Sequence, residues 1–303
     1  MENILTVKSL NKNYKNCRAL RDFSMHVPKG AIYGLVGRNG AGKTTIIRIL
    51  CGLQQPSGGE FTLYGAKSGT KEIFKARRRL GAIIETPAVY SDMTAEENLI
   101  MQYKALGLPS YDGMRELLEL VGLPDTGRRK AKNFSLGMRQ RLAIAVAMCG
   151  EPDLLILDEP MNGLDPQGII EIRELILKLN RERQVTVLIS SHILDELSKT
   201  ATHYGFMDNG SMVKEISAEE LNEALRKCLR IETDDMKTTA RVLESMNADY
   251  KIVSDTQADV YGKVNISALT LALARENVNI LSLRERDETL ESYYVNLVGG
   301  DDE

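Results

Sequence analysis

A chain of 303 residues is long for one compact core and comfortable for two domains of unequal size. With 27% charged residues and a formal net charge of −3, it carries no global field that would gather nucleic acid or an anionic membrane, so any partner has to be argued locally. Cys17, Cys51, Cys149 and Cys228 are far apart and form no CxxC pair, which fits reduced thiols better than a disulfide framework or a zinc site. The N-terminal MENILTVKSLNKNYK lacks a basic segment followed by an apolar one, and no apolar run approaches the ~18 residues of a membrane span, so a soluble, cytosolic chain is expected.

In chain order, ILTVKSL (4–10), ALRDFSMHV (19–27) and AIYGLV (31–36) read as strands, with PKG at 28–30 as a turn. TTIIRILCGL (44–53) has helical periodicity, QPSGGE (55–60) is a turn-rich break before the strand FTLYG, and LGAIIE (80–85) is a further strand. From Thr94 to about Gly150 the pattern is mainly helical, through TAEENLIMQYKALG, MRELLELVGL and LGMRQRLAIAVAM. Strands resume in DLLILD (153–158) and VTVLIS (185–190), on either side of the helix PQGIIEIRELILKLNRER. Asn209-Gly210, between HYGFMD and SMVKEI, is a hairpin signal. The alternation of strand and helix is that of an α/β domain with a helical insert. After about residue 217 the texture changes: LRIETD, MKTTARVLESM, a strand pair in YKIVSDTQADVYGKV, SALTLALARE and VNILSLRE read as β-α-β-β-α-β, a split-βαβ pattern, and TLESYYVNLVGG reads as one more helix. There is no internal repeat and no low-complexity linker.

The strongest chemical signal is GRNGAGKTT at 37–45, which fits G-x-x-x-x-G-K-[ST] between a predicted strand and a predicted helix. Gly37, Gly40 and Gly42 let the backbone wrap phosphates, Lys43 is aimed at the outer phosphate oxygens, and Thr44 offers a hydroxyl to Mg²⁺. LLILDEP (154–160) ends a continuous apolar strand in two carboxylates, which a buried strand does not spend without something to bind. Asp158 is the natural Mg²⁺ partner near Thr44, and Glu159 is placed to orient or deprotonate an attacking water. VTVLISSH ends in His192, which at a strand end beside a phosphate site can donate to the γ-phosphate. In NFSLGMRQRL (133–142), Ser135 and Gly137 precede a basic helix, either as an ordinary N-cap or as an anion cradle backed by Arg139 and Arg141.

With these pieces in this order, residues 4–217 resemble the ATP-binding subunit of an ABC transporter. The resemblance implies a P-loop NTPase domain over 1–217, with a RecA-like core, an antiparallel β subdomain and a helical subdomain at about 87–150. Residues 218–303 would then form a small α+β domain of ferredoxin-like kind. ATP would be held by Gly37, Arg38, Asn39, Gly40, Ala41, Gly42, Lys43, Thr44 and Thr45. FSLGMRQRL corresponds to the family's signature loop, so Ser135 and Gly137 would contact the ATP of a second copy in a head-to-tail homodimer; Leu136 and Met138 depart from that loop's commonest form. NGLDP (162–166) looks like the family's loop at the dimer seam, with Asp165. Tyr14 falls where the family stacks an aromatic on adenine, although a plain surface tyrosine reads equally well. Glu85 stands where most members have a glutamine that senses Mg²⁺ or water and faces the membrane subunit, which adds a charge at a catalytic and metal position.

Glu85, the FSLGMRQRL loop and the C-terminal extension together resemble the bacitracin-resistance and lantibiotic-immunity exporters. That resemblance implies ATP and Mg²⁺ as cofactors, separate membrane permease subunits, an antimicrobial peptide as indirect substrate, no nucleic acid, and a cytoplasmic location, peripheral on the membrane's inner face through the permease. The alternative is a soluble cassette ATPase acting on ribosomes or nucleic acid; such proteins usually carry two cassettes or a long coiled-coil insert, and here there is one P-loop and no sustained heptad.

Overall fold

The computed structural model describes residues 2–262, 265–286 and 289–299. Backbone contacts divide the chain into two units, Met1–Ala218 and Glu219–Glu303, and each has its own hydrophobic core.

The first unit opens on a hairpin. β1 (Asn3–Tyr14) pairs antiparallel with β2 (Cys17–Pro28), and Tyr14 faces Cys17 across the turn. Both strands run past the apolar alternation visible at 4–10 and 19–27, because their outer ends add backbone pairing without adding to the core. β3 (Ile32–Val36), the helix α1 (Lys43–Leu50), β4 (Gly58–Leu63) and β5 (Ala66–Lys67) follow. β2, β1, β4 and β5 form one sheet in that order. Where the register of β1 against β4 shifts, a Cβ on Gly59 would lie 2.1 Å from the Ser9 carbonyl oxygen, so only glycine lets the strands close at this irregularity.

The second sheet carries the site. Its elements continue with α2 (Glu72–Arg77), β6 (Leu80–Ile83), α3 (Ala95–Leu106), α4 (Met114–Leu120), α5 (Leu136–Met148), β7 (Leu154–Asp158), α6 (Pro166–Arg183), β8 (Thr186–Ser191), α7 (Leu194–Ser198), β9 (His203–Asp208) and β10 (Ser211–Ser217). The strand order is β10-β9-β3-β8-β7-β6, parallel except for β10. β3, β7 and β8 are buried along their whole length, which is why they read as unbroken apolar runs rather than alternations. The expected strand 80–85 stops at Ile83, since Glu85 adopts a left-handed φ of 64° that ends pairing. α2 and α7 escape a periodicity reading because six and five residues barely repeat a helical turn.

α1 lies between the two sheets. Its Ile46, Ile47, Ile49 and Leu50 are at most 1% exposed and share one core with Leu5 and Phe23 on the antiparallel side and Ile156 and Leu188 on the parallel side. Each such aliphatic side chain contributes roughly 1.5–3 kcal/mol by leaving water. The packing fixes the N-terminus of α1 against the ends of β3, β7 and β8.

In the second unit, α8 (Ala218–Ala224) leads into β11 (Cys228–Thr233), α9 (Met236–Ser245), β12 (Asp249–Ile252), β13 (Gln257–Tyr261), α10 (Ile266–Arg275), β14 (Ile280–Arg286) and α11 (Leu290–Val298). The sheet is antiparallel in the order β12-β13-β11-β14, a split βαβ. Leu229, Ile231, Ala258 and Val260 pack against Val242, Leu243, Leu269 and Leu273 of α9 and α10. Lys263 and Val264, expected to end the second strand of the pair, and Gly300, expected to end the last helix, lie outside the described residues.

Because Leu188 is fully buried at the middle of the parallel sheet, Leu188→Ala is expected to cost ~2–5 kcal/mol. Leu53, 67% exposed, should lose less than ~0.5 kcal/mol on the same change. Urea unfolding midpoints of the two variants check the contrast.

Candidate functional site

β3 ends at Val36, and the chain turns through Gly37–Gly42 into α1. The turn requires glycine at position 42, which has φ 107° and where a Cβ would sit 2.6 Å from the Ala19 carbonyl oxygen. The β9–β10 turn braces the loop from outside: the Gly210 N–H donates to the Ala41 carbonyl at 3.0 Å, and the Gly210 carbonyl accepts from Arg21 N–H at 2.8 Å. Asn209 and Gly210 both have positive φ, 45° and 83°, as a two-residue hairpin demands. The sequence marks this pair as a turn and gives no sign that it supports the loop.

Lys43 is only 6% exposed. Its Nζ donates to the carbonyls of Gly37 at 2.6 Å and Arg38 at 3.4 Å, and pairs with Glu159 Oε1 at 3.2 Å. A buried ammonium is costly unless carbonyls or a carboxylate surround it, and here both do. The cleft in front of the loop, about 310 Å³, is lined by Arg18, Arg38, Asn39, Gly40, Thr44 and Thr45 among others, with Glu159 on its wall. Its basic side chains and the N–H groups at the start of α1 suit a polyanion. Gly37 and Ala41 lie behind this lining, one receiving Lys43 and the other Gly210.

The carboxylates emerge at the ends of the neighbouring strands. Asp158 is 1% exposed; its Oδ1 accepts from Ser190 Oγ, the residue opposite it on β8, and its Oδ2 is buried without a hydrogen-bond partner among the described residues. Such an orphaned oxygen costs ~1–3 kcal/mol. It fits a hard cation: Asp158 Oδ2 and the Thr44 hydroxyl are oxygen donors of the kind Mg²⁺ takes. Glu159 follows with a left-handed φ of 50°, its N–H donating to Ser190 O at 3.1 Å and Ser190 Oγ at 3.0 Å. Its carboxylate bridges Lys43 and His192, whose Nδ1 lies 2.7 Å from Oε2. Ser190 thus orients both acids. The polar end of VTVLISSH was the only trace of it in the sequence.

A second cleft, about 500 Å³, gathers Ser135, Gly137, Leu164 and Asp165, and shares no lining residue with the first. Ser135 caps α5, its Oγ accepting from Met138 N–H at 3.2 Å, and Asp165 caps α6, its Oδ1 accepting from Gly168 N–H at 3.1 Å. Of the two arginines expected behind this cradle, Arg141 lines the cleft together with Glu171, and Arg139 is not part of its lining. Arg139 donates to the Phe134 carbonyl at 2.6 Å, while Arg141 donates to the Gly122 carbonyl at 2.9 Å and pairs with Glu171 at 3.4 Å. An anion here would meet the capped helix together with an Arg141 guanidinium already engaged by Glu171 and the Gly122 carbonyl.

Two expected residues are not gathered to the first cleft. Tyr14 is 44% exposed, its hydroxyl donates to Gln54 Oε1, and Lys12 Nζ stands 5.1 Å from its ring centroid. Glu85 is paired with Arg48 at 2.6 Å, on the last turn of α1.

The profile of the family described as ABC transporter matches residues 20–162. The chain is 39% identical to the bacitracin transport ATP-binding protein BcrA of Enterococcus faecalis, over 99% of this chain and 98% of that protein. It is 41% identical to the lantibiotic transport ATP-binding protein SrtF of Streptococcus pyogenes, over 70% of this chain and 90% of that one. The solved dimer of the ATP-binding cassette MJ0796, in a post-hydrolysis state with ADP and Pi, superposes with a TM-score of 0.62 at 26% identity, covering 71% of this chain and 98% of that one.

Thiol chemistry checks the placement of the cleft. Burial pushes the Cys51 thiol up to about 12, with Arg77 opposing and Asp158 adding to the shift, and burial does the same to Cys149. Cys17 is exposed and lines the cleft. A maleimide at neutral pH should therefore label Cys17 first and leave Cys51 and Cys149 unmodified until denaturant is added, and ATP should slow the labelling of Cys17. Mass spectrometry of the labelled peptides reads all three.

Proposed function

The chain belongs to the ABC transporter family, among its ATP-binding subunits, and from that premise we propose that it powers the export or removal of bacitracin- or lantibiotic-like peptides through separate membrane permease subunits. The observation that carries this reading is the likeness to BcrA along 99% of the chain, so that the second unit is matched as well as the ATPase. The protein would work as a homodimer on the cytoplasmic face of the membrane, held there by the permease.

The first cleft supports a specific division of labour. The loop from Gly37 to Thr45 would take the phosphates on its N–H groups, with the Lys43 ammonium turned from Glu159 toward the phosphate oxygens. Asp158 Oδ2 and Thr44 would hold Mg²⁺, which when bound neutralises charge on the phosphates. Released from Lys43, Glu159 would accept a proton from the attacking water, while His192 keeps the carboxylate aimed. Ser190 fixes the orientation of both acids from behind. Ser135, Gly137 and Asp165, in a cleft of their own, would close over the nucleotide held by a second copy, so that each ATP is sandwiched between two chains.

The test pairs chemistry with physiology. Glu159→Gln should bind ATP, stop turnover, and trap a dimer visible by size-exclusion chromatography, because the amide occupies the site but cannot take the water's proton. Cells lacking the protein should become more sensitive to bacitracin-like or lanthionine peptides, and should regain protection from the unmodified gene but not from Glu159→Gln. Equal survival of deleted and intact cells would remove the peptide reading, and a variant that stays monomeric with ATP would remove the shared site.

A further inference from the structure

Glu85 sits in an unusual piece of backbone. The Thr86 N–H donates to the Ile84 carbonyl at 2.8 Å across Glu85, whose φ is 64°, so Glu85 is the central residue of a γ-turn of the positive-φ kind, a rare and strained conformation for a side-chain-bearing residue. A second three-residue turn follows at once, Val89 N–H to the Pro87 carbonyl at 3.0 Å. The carboxylate at the strained position accepts from the Arg48 guanidinium, Nη2 at 2.6 Å.

Arg48 is four residues along α1 from Thr44. Residues spaced by four lie on the same face of a helix, with a rise of roughly 6 Å between them. Arg48 and Thr44 therefore project from one side of α1, and the Glu85 carboxylate reaches that side at Arg48. A carboxylate accepts a charge-assisted bond from arginine and also ligates a hard cation, whereas an amide does neither as strongly. This gives a physical reason for a glutamate here.

We infer that Arg48 is a positioning residue: it holds Glu85 one helical turn short of the metal position, in competition with the cation, and exchange of Arg48 for the cation relaxes the γ-turn at the start of the 84–89 segment. The inference rests on the proposed Mg²⁺–ATP site. The pair is partly exposed, 36% for Arg48 and 56% for Glu85, so it biases the equilibrium by about two- to fivefold rather than locking it.

The test uses the full chain and two measurements. Without nucleotide, hydrogen exchange in the peptide covering 84–89 should quicken about two- to fivefold in Arg48→Gln and in Glu85→Gln. Arg48→Lys, which keeps the charge at the helix end, should lie between these and the unmodified chain, and the double variant Arg48→Gln/Glu85→Gln should add nothing. The Mg²⁺ concentration giving half-maximal ATP hydrolysis should fall about two- to fivefold in Arg48→Gln, because the competitor for Glu85 is gone. Unchanged exchange in both single variants would overturn the inference, as would faster exchange confined to the end of α1, which is what a helix-capping arginine alone would give. Faster exchange at 84–89 with no shift in the Mg²⁺ dependence would overturn the competition. An unmodified chain without Mg²⁺-dependent hydrolysis would instead bring down the site on which the inference rests.

Discussion

The ammonium of Lys43, buried at the mouth of the phosphate loop, sets the terms for everything around it. It is 6% exposed, and removing such a charge from water costs several kcal/mol unless polar groups take water's place. The Gly37 and Arg38 carbonyls do part of this, and the Glu159 carboxylate does the rest. Glu159 is in turn tied to His192 and its backbone to Ser190. A polyanion entering the cleft offers Lys43 a stronger partner and leaves Glu159 free, so binding and the readiness of the carboxylate are linked by a single exchange of ion pairs. That linkage is the physical core of the proposed ATPase cycle.

The fold serves this arrangement by bringing the ends of three adjacent parallel strands to one edge. β3 delivers the loop, β7 the two acids and β8 Ser190 with His192 just beyond it. Ligand sites at the carboxyl ends of parallel strands are a general consequence of α/β topology. A different face is formed where Ser135 and Asp165 cap α5 and α6, in a cleft that shares no residue with the first. Two half-sites on one chain make sense if each is completed by another copy, which is the reason for proposing a head-to-tail dimer. The second unit, with a core of its own, is an independent split βαβ that the BcrA relatives also span.

What the sequence disclosed follows from locality. GRNGAGKTT and LLILDEP are contiguous and chemically uneven, glycine and charge set against apolar strands, so the α/β class and the position of the loop between β3 and α1 could be read directly. Asn209-Gly210 announced its hairpin because two positive φ angles leave few residue choices. Ser190 under Asp158, Gly210 against Ala41 and Arg48 on Glu85 were hidden, since each joins residues 32, 169 and 37 positions apart through tertiary packing alone. Arg139 and Arg141 differ in a way no local pattern shows: Arg141 lines the second cleft, paired with Glu171, whereas the Phe134 carbonyl claims the Arg139 guanidinium. Tyr14 lies at the end of a strand whose polar half carries no periodicity, and its orientation toward Gln54 has no local signature.

In the proposed cycle the first cleft keeps a buried oxygen for a cation at the expense of the stability of the free protein. Asp158 Oδ2 has no hydrogen-bond partner among the described residues, and a buried carboxylate left half-satisfied is destabilising where a neutral amide is less so. The most direct measurement is thermal unfolding of the unmodified chain and of Asp158→Asn, each alone, with ATP and EDTA, and with ATP and Mg²⁺. The expected result is that Asp158→Asn melts above the unmodified chain when free, and that the extra stabilisation Mg²⁺ gives over ATP alone disappears in the variant. A variant that melts lower when free and still gains the full increment from Mg²⁺ would contradict it.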